Sequence, residues 1–179
     1  MSTIDTDYVI LVDENDNEIS SDEKLSAHEN ALLHRAFSVF IFRKNSENQL
    51  ELLIQQRQAQ KYHCGGLWTN TCCSHPRPGE ATSAAAERRL FEEMGITQAL
   101  TPVGHFIYKA EFSNGLTEFE YDHVLIAEFR PQEFTVNPLE VDNYQWITIP
   151  KLILALETSP EHYTPWFKPA LDIALAQVK

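Results

Sequence analysis

The spacing of apolar residues changes along the chain, and each change predicts an element. DYVILVD (residues 7–13), a short apolar run between two aspartates, reads as a strand, and the NDNE that follows is turn chemistry. The polar run Ile19 to Leu32 reads as loop or short helix and carries His28. AFSVFIF (residues 36–42) is rich in β-formers, and its aromatic content suits a buried strand. KNSEN (residues 44–48) then turns the chain into QLELLIQQR (residues 49–57), the second arm of a hairpin. A loop containing Gly65 and Gly66 follows.

From Glu80 to Met94 the period lengthens to that of a helix, with Ala86, Leu90, Phe91 and Met94 predicted on its apolar face. Gly95 is placed to end it in a positive-φ conformation. Two strands are predicted near 103–112 and 116–129, joined by the turn Ser113-Asn114-Gly115. YQWITI (residues 144–149) is another strand, Pro150 opens a short helix, and residues 166–178 form a closing one. Hairpins dominate, so the fold class is α+β, a mixed sheet with helices on its faces.

At 179 residues, 1–179 is expected to be a single domain with a real core. The formal charge of -12 argues against a nucleic-acid surface and against docking on anionic lipid. A phosphorylated substrate must then meet a local island of cations or a bound metal. The opening MSTIDTDYVI has no basic stretch before an apolar run, and no apolar run spans a bilayer. Three cysteines, two of them adjacent, make no disulfide framework; a reducing, cytoplasmic setting is expected.

The chemistry concentrates in TNTCCSHPRPGEATSAAAERRLFEEMGI (residues 69–96). In an extended segment alternate side chains share a face, so Cys73 and His75 point one way and Cys72 the other. Cys73 is thereby the thiol beside an imidazole, although a free cysteine is often only a small buried hydrophobe. Glu118 and Glu120, in LTEFEYDHV, share a face by the same rule. Read alone they fit a solvated edge; held close, they repel unless a cation lies between them or one is protonated. His28, His34 and His75 would complete a mixed nitrogen–oxygen site for a divalent ion. Arg88 and Glu92, like Arg89 and Glu93, are spaced for i,i+4 ion pairs, each worth a few tenths of a kcal/mol. They are equally spaced to present a carboxylate and an arginine to a phosphate and its magnesium.

Glu80, Arg88, Leu90, Glu92-Glu93 and Gly95-Ile96 fall on the spacing of a Nudix box. Two positions depart from it: Ser74 stands at the first glycine, and Arg89 where the family carries a glutamate. A cation there opposes the magnesium of Nudix hydrolysis. LLHRAFSVFIF (32–42), WTNTCCSHP (68–76), RRLFEEMG (88–95), EFEYD (118–122) and YTPWF (163–167) resemble, in order, the type I isopentenyl-diphosphate Δ-isomerases. The resemblance covers nearly the whole chain and implies a Nudix-like mixed sheet sandwiched by helices.

It also implies roles. Cys73 matches the family's catalytic cysteine, Glu120 its partner acid/base, and Tyr108 and Trp166 the aromatics near the alkene. His28, His34, His75, Glu118 and Glu120 match a cluster holding Mn2+, Zn2+ or Mg2+, and Glu93 a ligand of the Mg2+ that bridges to the diphosphate. Lys24, Arg57, Lys61 and Arg89 match the cations around that diphosphate. Gly65 replaces a proline common in relatives, which alters loop stiffness. The implied partner is a small prenyl diphosphate, acted on by a monomer. The competing readings are a Nudix diphosphohydrolase, opposed by Arg89, a metal-stabilised binding module, and thiol redox chemistry at Cys72-Cys73.

Overall fold

The structure is a computed structural model describing residues 7–178. The expectation of a leaderless N-terminus rests partly on residues 1–6, which lie outside that range. Nine strands and four α-helices are described: β1 (Tyr8–Val12), β2 (Glu18–Glu23), α1 (Lys24–Glu29), β3 (His34–Lys44), β4 (Leu50–Arg57), β5 (Trp68–Thr69), β6 (Cys72–Ser74), α2 (Thr82–Met94), β7 (Thr101–Glu111), β8 (Thr117–Glu128), β9 (Val141–Thr148), α3 (Ile149–Thr158) and α4 (Phe167–Leu175). A 3-10 turn, Pro160–His162, precedes α4.

All nine strands share one mixed sheet built around β3. β8 pairs with β3 in parallel over its length, from His34 opposite Glu120 to Phe42 opposite Glu128. On the other edge, β4 pairs antiparallel only at Phe42 to Lys44, and β6 pairs further back, with Cys73 opposite Ser38. β4 thus diverges from β3, and the short β6 fills the opening. The candidate chemistry collects at this splayed end.

Alternation on β3 divides the core. Phe37, Val39 and Ile41 pack with Ala85, Ala86, Leu90 and Met94 of α2. Phe40 and Phe42 pack with Leu152 of α3 and Phe167, Ala170 and Leu171 of α4. The sheet is therefore covered on both faces, as expected for the α+β class.

Three expectations are corrected. The polar run after Ile19 contains an edge strand, β2, whose exposed side chains gave no periodic signal. Phe91 is 59% exposed, and Glu93 is buried in its place. Successive helical residues point about 100° apart, so Phe91 leaves the stripe that Leu90 and Met94 define. Glu80 precedes α2, where its carboxylate instead accepts from the Arg77 amide at 2.9 Å and from Arg88 Nε at 2.7 Å.

Candidate active site

Glu118, Glu120 and Asp122 form a row along β8, followed by Val124 in the α4-side core. The carboxylates are 2%, 6% and 1% exposed, so the solvated-edge reading of the pair is overturned. Each ionised oxygen here must be matched by a donor or a cation. Tyr108, register partner of Glu120 on β7, directs its hydroxyl between Glu118 Oε2 and Glu120 Oε2, the latter at 3.0 Å. Ser38 Oγ donates to Asp122 Oδ2 at 2.9 Å. Burial, with Glu120 close by, raises the Asp122 carboxyl well above the usual carboxylate range.

Imidazoles surround the row. His75 Nε2 lies 2.9 Å and His34 Nε2 3.5 Å from Glu120 Oε1. His28 is central, with ring centroids 4.8 Å from His34 and 5.8 Å from His75. Burial drives His28 down to about 4 and His75 down to about 3. Burial also opposes ionisation of Glu120, but the imidazoles of His34 and His75 outweigh it and hold the carboxylate well below its ordinary range. Neutral imidazoles around an ionised carboxylate are the protonation states a divalent ion requires.

The nitrogens test that fit. His28 Nδ1–H donates to the Lys24 carbonyl at 2.6 Å, and His34 Nδ1–H to the Leu32 carbonyl at 2.8 Å. In a neutral imidazole such a bond leaves the lone pair on Nε2, and both Nε2 atoms are buried with no hydrogen-bond partner. A backbone carbonyl fixing the far nitrogen is the usual support of a ligating histidine. Ligand atoms of His28, His34, His75 and Glu120 lie within 4.8 Å of one another. Glu118 falls into a second such group, with His28 and His63. The residues fit a divalent ion.

Cys72 and Cys73 separate as alternation requires: Cys72 is wholly buried against α2, and Cys73 lines the cavity. Burial pushes the Cys73 thiol up to about 12, against the pull of Arg57, whose Nη1 lies 3.6 Å from Sγ. The thiol is therefore S–H at neutral pH. Cys73 shares a cleft with His75, Glu118, Glu120 and Trp166. Trp166 is held at the start of α4 by strand-like pairing of Tyr163 with Trp68 and by its Nε1–H donating to Asn70 Oδ1 at 3.3 Å. Its ring already accepts a cation on one face, the Arg57 guanidinium 5.4 Å from the centroid.

Lys24, Arg57, Lys61 and Arg89 line the same cleft, as does Glu93. A neighbouring cleft shares Lys24, Lys61 and Arg89 and adds Arg77 and Arg88, so the basic rim continues outward. The rim is internally compensated. Arg89 Nη2 lies 2.6 Å from Glu93 Oε1 and 3.2 Å from Glu140 Oε1, and Lys61 Nζ lies 2.5 Å from Glu140 Oε2. Glu93 Oε2 also accepts from Gln55 at 2.9 Å. A carboxylate has about four lone-pair sites, so two such bonds leave capacity for an ion. Arg88 pairs with Glu92 at 3.1 Å outside the main cleft, the structural alternative raised for it.

Sequence reasoning did not find His63, Gln55, Asn70 or Glu140. Asn70 lay within the quoted WTN run. The others are isolated polar residues whose partners are distant in sequence, and nothing in their spacing marks them.

The chain matches the family described as NUDIX domain over residues 32–167. It is 48% identical over 166 residues to "Isopentenyl-diphosphate Delta-isomerase 2" of Photorhabdus laumondii, covering 93% of this chain and 91% of that protein. With "Isopentenyl-diphosphate Delta-isomerase" of Photobacterium profundum identity is 44% over 174 residues, covering 96% of each. Among solved structures, a Deinococcus radiodurans protein aligns with TM-score 0.67 at 18% identity, covering 96% of this chain and 99% of that one. A MutT protein from Methanosarcina mazei aligns with TM-score 0.61 at 16% identity, covering 81% and 96%. At such identities the structures speak for the fold.

Proposed function

The chain belongs to the isopentenyl-diphosphate Delta-isomerase family, within the NUDIX fold, and from that premise we propose how its residues share the work. The enzyme interconverts isopentenyl and dimethylallyl diphosphate, moving a carbon–carbon double bond by one position and supplying isoprenoid precursors. One proton is added to an unactivated alkene and another leaves a neighbouring carbon, through a tertiary carbocation. Cys73 and Glu120 carry those protons. The observation behind this assignment is their shared cleft, in which an S–H thiol and a buried carboxylate lie with an indole ring. The reaction is reversible, so the donor in one direction is the acceptor in the other.

Tyr108 positions Glu120. Its single O–H serves only one of two carboxylates at a time, so it can follow the proton on the row. The Trp166 face stabilises the cation without offering a nucleophile, a contribution of about 2 kcal/mol when desolvated. Phe37 and Trp166, on the cleft lining, would help exclude the water that would quench it.

His28, His34, His75, Glu118 and Glu120 would hold a divalent ion, and Glu93 one bound with the diphosphate. When bound, the first supplies positive charge that sets the acidity of Glu120 and the second neutralises phosphate oxygens. Imidazole-rich donors favour Zn2+ or Mn2+, and oxygen donors Mg2+. Lys24, Arg57, Lys61 and Arg89 grip the diphosphate, which does not react. This remote binding energy orients the alkene between the proton-transfer groups. Such a rim reconciles a charge of -12 with an anionic substrate. The enzyme is proposed to act as a monomeric single domain in the cytoplasm; no described helix is long and apolar enough to cross a membrane.

Incubation with isopentenyl diphosphate in deuterated water tests the assignment. Deuterium should enter dimethylallyl diphosphate with no inorganic phosphate released. Product without deuterium, or phosphate release, would sink it.

A further inference from the structure

His63 belongs to none of the roles above, yet its Nε2 is built into the site, while its Nδ1 is buried without a hydrogen-bond partner. Its Nε2 lies 2.5 Å from Glu118 Oε1, and its ring centroid lies 5.4 Å from that of His28. The residue is 8% exposed, and its backbone is secured on two sides. Arg57 Nη2 donates to the His63 carbonyl at 3.4 Å, and Asn114 Nδ2, at the tip of the β7–β8 hairpin, donates to the Tyr62 carbonyl at 2.8 Å. The ring packs 5.9 Å from Phe112, which limits its reorientation.

Ligand atoms of His28, His63 and Glu118 lie within 4.8 Å of one another, as do those of His28, His34, His75 and Glu120. The two groups share His28, whose Nδ1 is committed to the Lys24 carbonyl and whose Nε2 alone is free. One nitrogen serves one ion, and without His28 the second group is only His63 and Glu118. The donors therefore converge on a single centre. Tyr108 donates to Glu118 Oε2, so Oε1 is left to His63 or to an ion between them. We propose that His63 is a further ligand of this metal centre, entering through Nε2 on the Glu118 side. The centre then carries four imidazoles and two carboxylates, a set biased toward nitrogen-preferring ions such as Zn2+ and Co2+ and away from Mg2+.

This inference rests on the reading of the His/Glu cluster as a metal centre, and its test does not depend on turnover. Zn2+ affinity is measured on substrate-free protein by competition with a chromophoric chelator, for wild type, His63→Ala and His63→Gln, with His34→Ala as a reference for ligand loss. Both His63 variants should bind Zn2+ at least about tenfold more weakly, the scale on which even supporting residues act. Their Co2+-loaded visible spectra should differ from wild type. His63→Gln keeps a side-chain donor for Glu118, so unchanged affinity and a superimposable Co2+ spectrum in that variant would overturn ligation by His63. If wild type bound no Zn2+, or His34→Ala bound it undiminished, the centre itself would fall, whether or not the protein isomerises its substrate.

Discussion

At the scale of single residues, neighbours in sequence do unrelated work. Cys72 fills the core under α2, while Cys73, one peptide along, faces the cleft. Alternation in β6 is the cause, and it makes the two cysteines controls for one another. Cys73→Ala should lower kcat by about 10²-fold or more, the range of a proton-transfer group, with little change in KM. Its unfolding midpoint in urea should stay near wild type, since the thiol packs against a cleft. Cys72→Ala should do the reverse, costing stability through a core cavity while sparing turnover. Near-normal turnover by Cys73→Ala, read from product formation in deuterated water, would end the two-sided mechanism. Both alternation arguments, Cys73 with His75 and Glu118 with Glu120, could be made before any fold was known. What spacing left open was whether each face met solvent or protein, and the β8 row proved buried.

At the scale of elements, legibility followed the strength of the local signal. The buried strands and α2 announce themselves by period, and Gly95 ends α2 as expected, with φ of 72°. β2 was missed because an exposed edge strand can be polar on both faces; pairing with β1, not its own pattern, makes it a strand. β5 and β6 are too short to show a period at all. The segment after β8 was equally silent, yet it ties α2 to the site. The Asn137 amide donates to the Glu93 carbonyl at 2.8 Å, and Glu140, just beyond, reaches Lys61 and Arg89. A Cβ on Gly95 would stand 2.5 Å from the Thr135 carbonyl oxygen in this segment. Gly95→Ala thus combines left-handed strain with a backbone clash. It should cost about 1–3 kcal/mol by urea titration and raise KM more than it lowers kcat, because the displaced segment carries Glu140. An Ala variant as stable as wild type would show that the segment yields freely and that α2 does not depend on it.

At the scale of the molecule, the proposed metal ligands come from places the chain separates widely: α1, the start of β3, the loop between β4 and β5, the residue after β6 and the first residues of β8. Proteins of this size do not need a metal to fold, and the two cores on either face of the sheet contain none of these residues. The splayed end is different. There β4 leaves β3, and imidazoles crowd the buried carboxylates of β8, with His28 Nε2 and His34 Nε2 unpartnered. An ion that binds the native arrangement and not the unfolded chain adds RT ln(1 + [L]/Kd), about 2.7 kcal/mol at a hundredfold excess over Kd. Treatment with a strong chelator should therefore lower the melting temperature without abolishing the cooperative transition, and added Zn2+ or Mn2+ should restore it. Hydrogen exchange locates the effect. Amides of α1 and of the 58–66 loop should lose protection on chelation, whereas those of α2 and α4, sealed into the cores, should not. Uniform loss across the sheet would mean that the ion holds the whole fold together; no loss anywhere would mean that the splayed end is rigid without it, and that the cluster of imidazoles must be explained by packing alone.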